Sequence, residues 1–146
     1  MSIRDTILDN YKTCLGNIIV ANGFTNAVKD VQRKFLYYDQ VFNFPALMVL
    51  GGDEKFEDQL GEYSISRLTV RIVGYTKNVS DPDGASCSFI ADVMKCLENA
   101  TYNINKAKMR IIGVETDEGM LHAAGEGLSM FIITLETIYR FKRDTP

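Results

Sequence analysis

Histidine is nearly missing from this chain. His122 is the only one in 146 residues, so neither a two-imidazole metal site nor a histidine pair for acid–base work can be assembled. Cysteine is scarce as well: Cys14, Cys87 and Cys96 are odd in number and lack metal-binding spacing. Each lies within an apolar pattern rather than beside a cationic cluster, which predicts buried thiols and no disulfide framework. No apolar run comes near the roughly 20 residues that a membrane-crossing helix needs, so no membrane partner is expected. There is no basic stripe either. The formal net charge is -3 with both signs interspersed, which argues against a dedicated nucleic-acid binder. The chain opens without a charged-then-apolar leader, so folding in the cytoplasm is the expectation. The triplets Asn78-Val79-Ser80 and Asn99-Ala100-Thr101 are then not read as glycosylation sites.

What is present is a globular balance. With 46% hydrophobic and 24% charged residues, the chain can bury roughly two thirds of the surface its unfolded form exposes, enough for a single domain over residues 1–146 without covalent staples. The clearest local signal lies between Tyr63 and Tyr75. Leu68, Val70 and Ile72 fall on one side of that run and Arg67, Thr69 and Arg71 on the other, the period-two pattern of a half-buried strand. Before it, Phe44 to Leu50 reads as a strand opened by Pro45, then a Gly51-Gly52 break and an acidic loop from Asp53 to Glu62.

Ile3, Ile7, Tyr11, Leu15, Ile18 and Ile19 recur at helical steps, predicting a helix from Ser2 to Asn22, capped by Ser2 and stopped by Gly23. Val28 to Phe35 mixes β-branched and charged residues and predicts an edge strand. The aromatic segment Leu36 to Phe44 is suited to covering a core or forming an oligomer contact. Asp81-Pro82 starts a second helix reaching about Asn99, with Phe89, Val93 and Leu97 inward and Asp92, Lys95 and Glu98 outward. Met109–Thr116 and Leu128–Phe141 read as strands separated by a glycine-rich loop, Asp117 to Gly127. The sum is an α+β fold: a two-layer α/β sandwich, with a mostly antiparallel sheet of about five strands and two helices on one face. The other sheet face is expected to be polar.

No chemistry emerges from these residues. His122 lies near Asp117, Glu118 and Glu126, but one histidine in an Ala- and Gly-rich loop fits surface packing better than a metal or acid–base centre. Asp53, Glu54, Glu57, Asp58 and Glu62 are interrupted by Lys55 and lack EF-hand spacing. Gly51-Gly52 and Gly125-Glu126-Gly127 are turn glycines without a phosphate-cradling order, and Cys87 has no identified base. No metal, no cofactor and no catalysis are expected.

In order along the chain, the opening helix, Val28-x-x-Val31-x-Arg33, Phe44-Pro45-Ala46-Leu47-Met48-Val49, Gly51-Gly52-Asp53-Glu54 and the long strand to Tyr75 form a recognisable series. Asp81-Pro82, Ala91-Asp92-Val93, Thr116-Asp117 and the final strand through Tyr139 complete it. This series resembles the tail terminator family of long-tailed bacteriophages, also called tail-completion or minor tail proteins. The resemblance implies a structural virion protein of the tail, assembled in the host cytoplasm, that caps the tail tube as a homo-oligomer, a hexamer ring. It implies as partners the tail tube protein and a head-completion or connector protein, with DNA passing through the lumen without specific binding. Within that reading, Val28, Val31, Arg33, Phe35, Tyr37 and Tyr38 are candidates for the subunit interface. Asp53, Glu54, Lys55, Glu57, Asp58, Glu118, His122 and Glu126 are candidates for docking on the tube or connector. Two other readings stay open: a head-tail connector or neck subunit, and a small intracellular ligand-binding α/β module.

Overall fold

The computed structural model describes residues 2–57, 62–99, 107–116 and 127–142. Helix α1 (Ile3–Leu15) leads through a 3-10 turn at Val20–Asn22 to a short strand, β1 (Asp30–Gln32), and a second 3-10 turn at Tyr38–Gln40. Strands β2 (Ala46–Glu57) and β3 (Tyr63–Lys77), helix α2 (Pro82–Asn99), and strands β4 (Lys108–Thr116) and β5 (Leu128–Lys142) follow. The five strands are ordered β1-β2-β3-β5-β4. β1 runs parallel to β2, and every other pairing is antiparallel. Both helices contribute to one core on one face of this sheet, the expected α+β sandwich.

The core follows from the alternation. Leu68, Val70 and Ile72 of β3 and Phe131, Ile133 and Leu135 of β5 face Leu8, Tyr11 and Leu15 of α1 and Phe89, Val93 and Leu97 of α2, all of them buried. Gly74 pairs with Phe131 across the ladder. A Cβ on Gly74 would stand 2.1 Å from Phe131 Cζ, so the aromatic ring lies over the bare backbone there. Ser2 caps α1 by accepting from the Asp5 N–H. At the start of α2, the Asp81 carboxylate accepts from the Gly84 N–H at 3.1 Å.

Several expectations need correction. α1 ends at Leu15, not Asn22, and Gly23 (φ 90) closes the 3-10 turn rather than the helix. The chain leaves the helix because Ile18 is buried and its carbonyl accepts from the Val28 N–H at 2.9 Å, tying the helix exit to the approach of β1. Only Asp30–Gln32 of the expected Val28–Phe35 strand pairs with β2. Gly51-Gly52 is no break: β2 continues to Glu57 with one extra residue between Gly51 and Glu54 relative to Val70 and Leu68 on β3. At this bulge Arg4 and Leu8 close on the bare backbone: a Cβ on Gly51 would stand 2.8 Å from Arg4 Nη2 and 3.0 Å from Leu8 Cδ1. Residues 58–61 of the acidic loop and most of the glycine-rich loop, Asp117 to Glu126, lie outside the described residues.

The far sheet face is only partly polar. Val41, Ala46, Met48, Val73, Tyr75 and Leu128 form a second, smaller core there, beneath the aromatic segment. The cysteines divide: Cys96 is buried and Cys14 half-buried, but Cys87 is exposed, contrary to expectation. Asp92 points inward rather than outward. Its carboxylate accepts from the Thr25 N–H at 3.2 Å, the Asn26 N–H at 2.7 Å and Asn26 Nδ2 at 2.8 Å, pinning the segment after α1 to α2.

Removing that anchor strands two backbone donors and an amide. Asp92→Ala is expected to lower stability by about 2–3 kcal/mol, read from the urea midpoint at constant slope. Asp92→Asn, which turns one acceptor into a donor facing Asn26, should recover less than half of the loss. A wild-type midpoint in Asp92→Ala would show that the segment is held by other contacts.

Candidate interaction surfaces

The segment after β1 is held from beneath and apolar above. The Leu36 N–H lies 3.1 Å from Met48 Sδ, and the Leu36 carbonyl accepts from the Tyr75 hydroxyl at 2.8 Å. Leu36, Val41 and Phe44 pack into the second core, while the Tyr37 N–H donates to Gln40 Oε1 at 3.0 Å to close the 3-10 turn. With those side chains inward, Phe35, Tyr37, Tyr38 and Phe42 project outward, Phe42 being 86% exposed. Phe35 and Tyr37 meet edge to face at 5.1 Å. A solvent-facing group of aromatic side chains of this kind is the composition of an interface centre.

Of the expected subunit-interface residues, Phe35, Tyr37 and Tyr38 lie in this cluster. Val28 and Val31 pack against the main core instead. Arg33 reaches back to α1, donating to Asp9 at 2.7 Å with Asp5 at 3.5 Å. Between α1 and this edge lies a solvent-open groove of about 620 Å³ lined by Asp9, Lys12, Val28 and Asp30 among others. Its lining carries charges of both signs. Phe42 belongs to the aromatic segment read as a core cover or oligomer contact, though not to the six interface candidates. Its exposure follows from its place between the inward Val41 and Phe44.

The bulge in β2 sorts the acidic run onto two faces. Because one extra residue reverses the alternation, Glu54 pairs beside Leu68 and faces the helical side. There its carboxylate accepts from Ser66 Oγ at 2.5 Å and from the Tyr139 hydroxyl, with Arg4 Nη1 at 3.6 Å. Arg4 also donates to the Gly52 carbonyl at 2.9 Å. Glu57 falls on the opposite face, where Arg67 joins it at 2.5 Å and reaches Glu136 at 3.2 Å, with Arg110 3.7 Å from Glu136. Asp53, Lys55 and Phe56 are exposed near the end of the β2–β3 arm. Asp58, Glu118, His122 and Glu126 lie outside the described residues.

At the other end of the sheet, β4 has β5 on one side and, among the described residues, no strand on the other. It carries its own bulge between Ile111 and Gly113, and Ile112 and Val114 are exposed at 54% and 39%. The sheet thus ends in two unlike borders. Among the described residues, no group of three or more His, Cys, Asp or Glu is placed to hold a metal ion, and no helix is long and apolar enough to cross a membrane.

Compared with known proteins, residues 1–143 match the family model described as Bacteriophage Tail Tube Terminator Protein. No curated protein matches the chain.

The Tyr139–Glu54 contact carries a pH signature. Burial and the hydrogen bond to Glu54 push the Tyr139 hydroxyl up from 10.0 to about 12, and burial pushes Tyr11, bonded to Thr137, up to about 12 as well. The folded chain keeps protons that the unfolded chain gives up, so this stability is complete below pH 10 and is lost as pH rises from about 10 to 12. The urea midpoint should fall across that window. Tyr139→Phe should flatten the fall and, at neutral pH, cost about 1–2 kcal/mol by taking a donor from Glu54. An unchanged alkaline slope in Tyr139→Phe would refute the assignment.

Proposed function

This chain belongs to the bacteriophage tail tube terminator family, and from that premise we propose that it closes as a ring on the last rim of a tail tube, ends its growth and presents its far side for joining the head. The family is structural, and its members are components of the virion tail. A tube grows because each ring exposes a rim complementary to the underside of the next. A terminator must satisfy that rim without copying it.

One observation carries the ring: the protein exposes two unlike apolar patches, the aromatic residues Phe35, Tyr37, Tyr38 and Phe42 on the segment that follows β1 and covers the far sheet face, and Ile112 with Val114 on the edge strand β4. A cyclic oligomer needs a head-to-tail contact between unlike patches, and these two supply such a pair. The hexamer fits a cap that must match a tube rim subunit for subunit. Asp53, Lys55 and the exposed Phe56 at the end of the β2–β3 arm are the axial contacts in this reading, and Glu54 braces the arm from inside. A net charge of -3 suits a lumen through which DNA passes without adhering. Assembly takes place in the host cytoplasm, where tubes and heads meet.

Phe42→Asp and Ile112→Asp each spoil one border and leave the other intact. Neither variant alone should cap purified tail tubes. On tube ends, an equimolar mixture should leave pairs that do not close into a ring, because only one good contact per pair survives. Rings from either variant alone, or homodimers that persist in both, would refute head-to-tail closure. Binding of the wild-type chain to head-completion rings but not to tube ends would place it on the head side as a connector instead.

A further inference from the structure

Where α1 crosses α2, two thiols meet. Cys14 Sγ lies 3.3 Å from Cys96 Sγ; Cys96 Sγ is 3.3 Å from the Cys14 carbonyl oxygen, and Cys14 Sγ is 3.8 Å from the Cys96 carbonyl oxygen. The two residues are 82 apart in the chain. Each sits on a helix anchored elsewhere: α1 by Arg4 on the Gly52 carbonyl, α2 by Asp92 on Thr25 and Asn26. We propose that Cys14 and Cys96 are an oxidation site, at which exchange with a small-molecule disulfide such as oxidised glutathione forms a bond that locks α1 to α2.

The chemistry proceeds in two exchanges. The Cys14 thiolate attacks oxidised glutathione, whose S–S bond breaks. One glutathione leaves as a thiolate and the other remains in a mixed disulfide on Cys14. Cys96, its proton given to solvent, attacks Cys14 Sγ and expels the second glutathione. Two protein thiols are oxidised and one glutathione disulfide is reduced to two thiols.

Burial separates the roles. Cys14 is half-buried and open to a reagent, while Cys96 is buried beside it. The hydrogen bond with Cys14 and burial push the Cys96 thiol up, which makes Cys96 the resolving rather than the attacking sulfur and makes closure faster at higher pH. Cys87 is exposed and stands apart from the pair. A virion component released from a reducing cell meets an oxidising medium, so the bond would reinforce the helical layer after assembly. This inference does not depend on the ring proposed above.

The test uses the full chain with Cys87→Ser, so that only the pair can react. After native incubation with oxidised glutathione, alkylation in denaturant should find no remaining thiol and no retained glutathione. The thermal midpoint should rise by roughly 5–10 °C, because the bond closes a long loop in the unfolded chain, and should return on reduction. Closure should quicken as pH is raised. Adding Cys14→Ser to this background should leave Cys96 alkylatable and abolish the rise. Two alkylatable thiols after oxidation, a persistent glutathione adduct on Cys14, or an unmoved midpoint in the oxidised chain would each overturn the proposal.

Discussion

The ladder between β3 and β5 is the member against which everything else is placed. Both strands are 15 residues long, and they pair from Tyr63↔Lys142 to Lys77↔Leu128 without a register shift. An unbroken antiparallel register fixes every side chain to one face. The helices therefore find Leu68, Val70, Ile72, Ile133 and Leu135 in continuous rows. The neighbours on either side, β2 and β4, each carry one bulge. The regular centre stores the register, and the flanking strands use an extra residue to bend away from it and re-aim their side chains.

The bulge in β2 links fold and surface. Without it, Glu54 would face the charged side with Arg67, and the helical side would lose the carboxylate that joins Ser66, Tyr139 and Arg4. The same extra residue brings Gly52 within reach of Arg4, so α1 is seated on the sheet at the position where the alternation changes phase. The end of the β2–β3 arm is consequently stiffened by polar contacts on one face and by the Glu57–Arg67–Glu136–Arg110 series on the other. Exposed ion pairs of this kind contribute little stability individually. Their effect is to orient, holding long side chains of alternating sign across neighbouring strands.

Much of this was legible in the residues. Strict alternation from Arg67 to Ile72 located β3, Asp81-Pro82 located the start of α2, and the order of elements gave the two-layer architecture. The family resemblance agrees with the match over residues 1–143. What escaped were contacts made at long range. Asp92 reads as an outward residue on a helical wheel, and only the approach of Thr25 and Asn26, 67 and 66 positions away, turns it inward. Gly51-Gly52 reads as a break because the pressure of Arg4 and Leu8 on the strand has no local trace. The aromatic segment left two readings open, and the first applies to Leu36, Val41 and Phe44, which cover a core, while Phe35, Tyr37, Tyr38 and Phe42 remain outside.

A terminator faces a problem of timing that these borders address. A subunit whose edges paired strongly in solution would close or aggregate before any tube was complete, since unpaired strand edges are templates for association. Here β1 offers only Asp30–Gln32, flanked by Lys29 and by Arg33, which is already engaged by Asp9. β4 is longer, but Lys108 and Arg110 are exposed at one end and Glu115 at the other, which disfavours unrestricted stacking of identical edges. The exposed apolar patches are therefore small, with short or charge-flanked strand edges around them. On the reading proposed above, a tube rim holds several subunits side by side, raises their effective concentration and makes weak lateral contacts sufficient. Closure then waits for the tube, because the rim supplies what the borders alone lack.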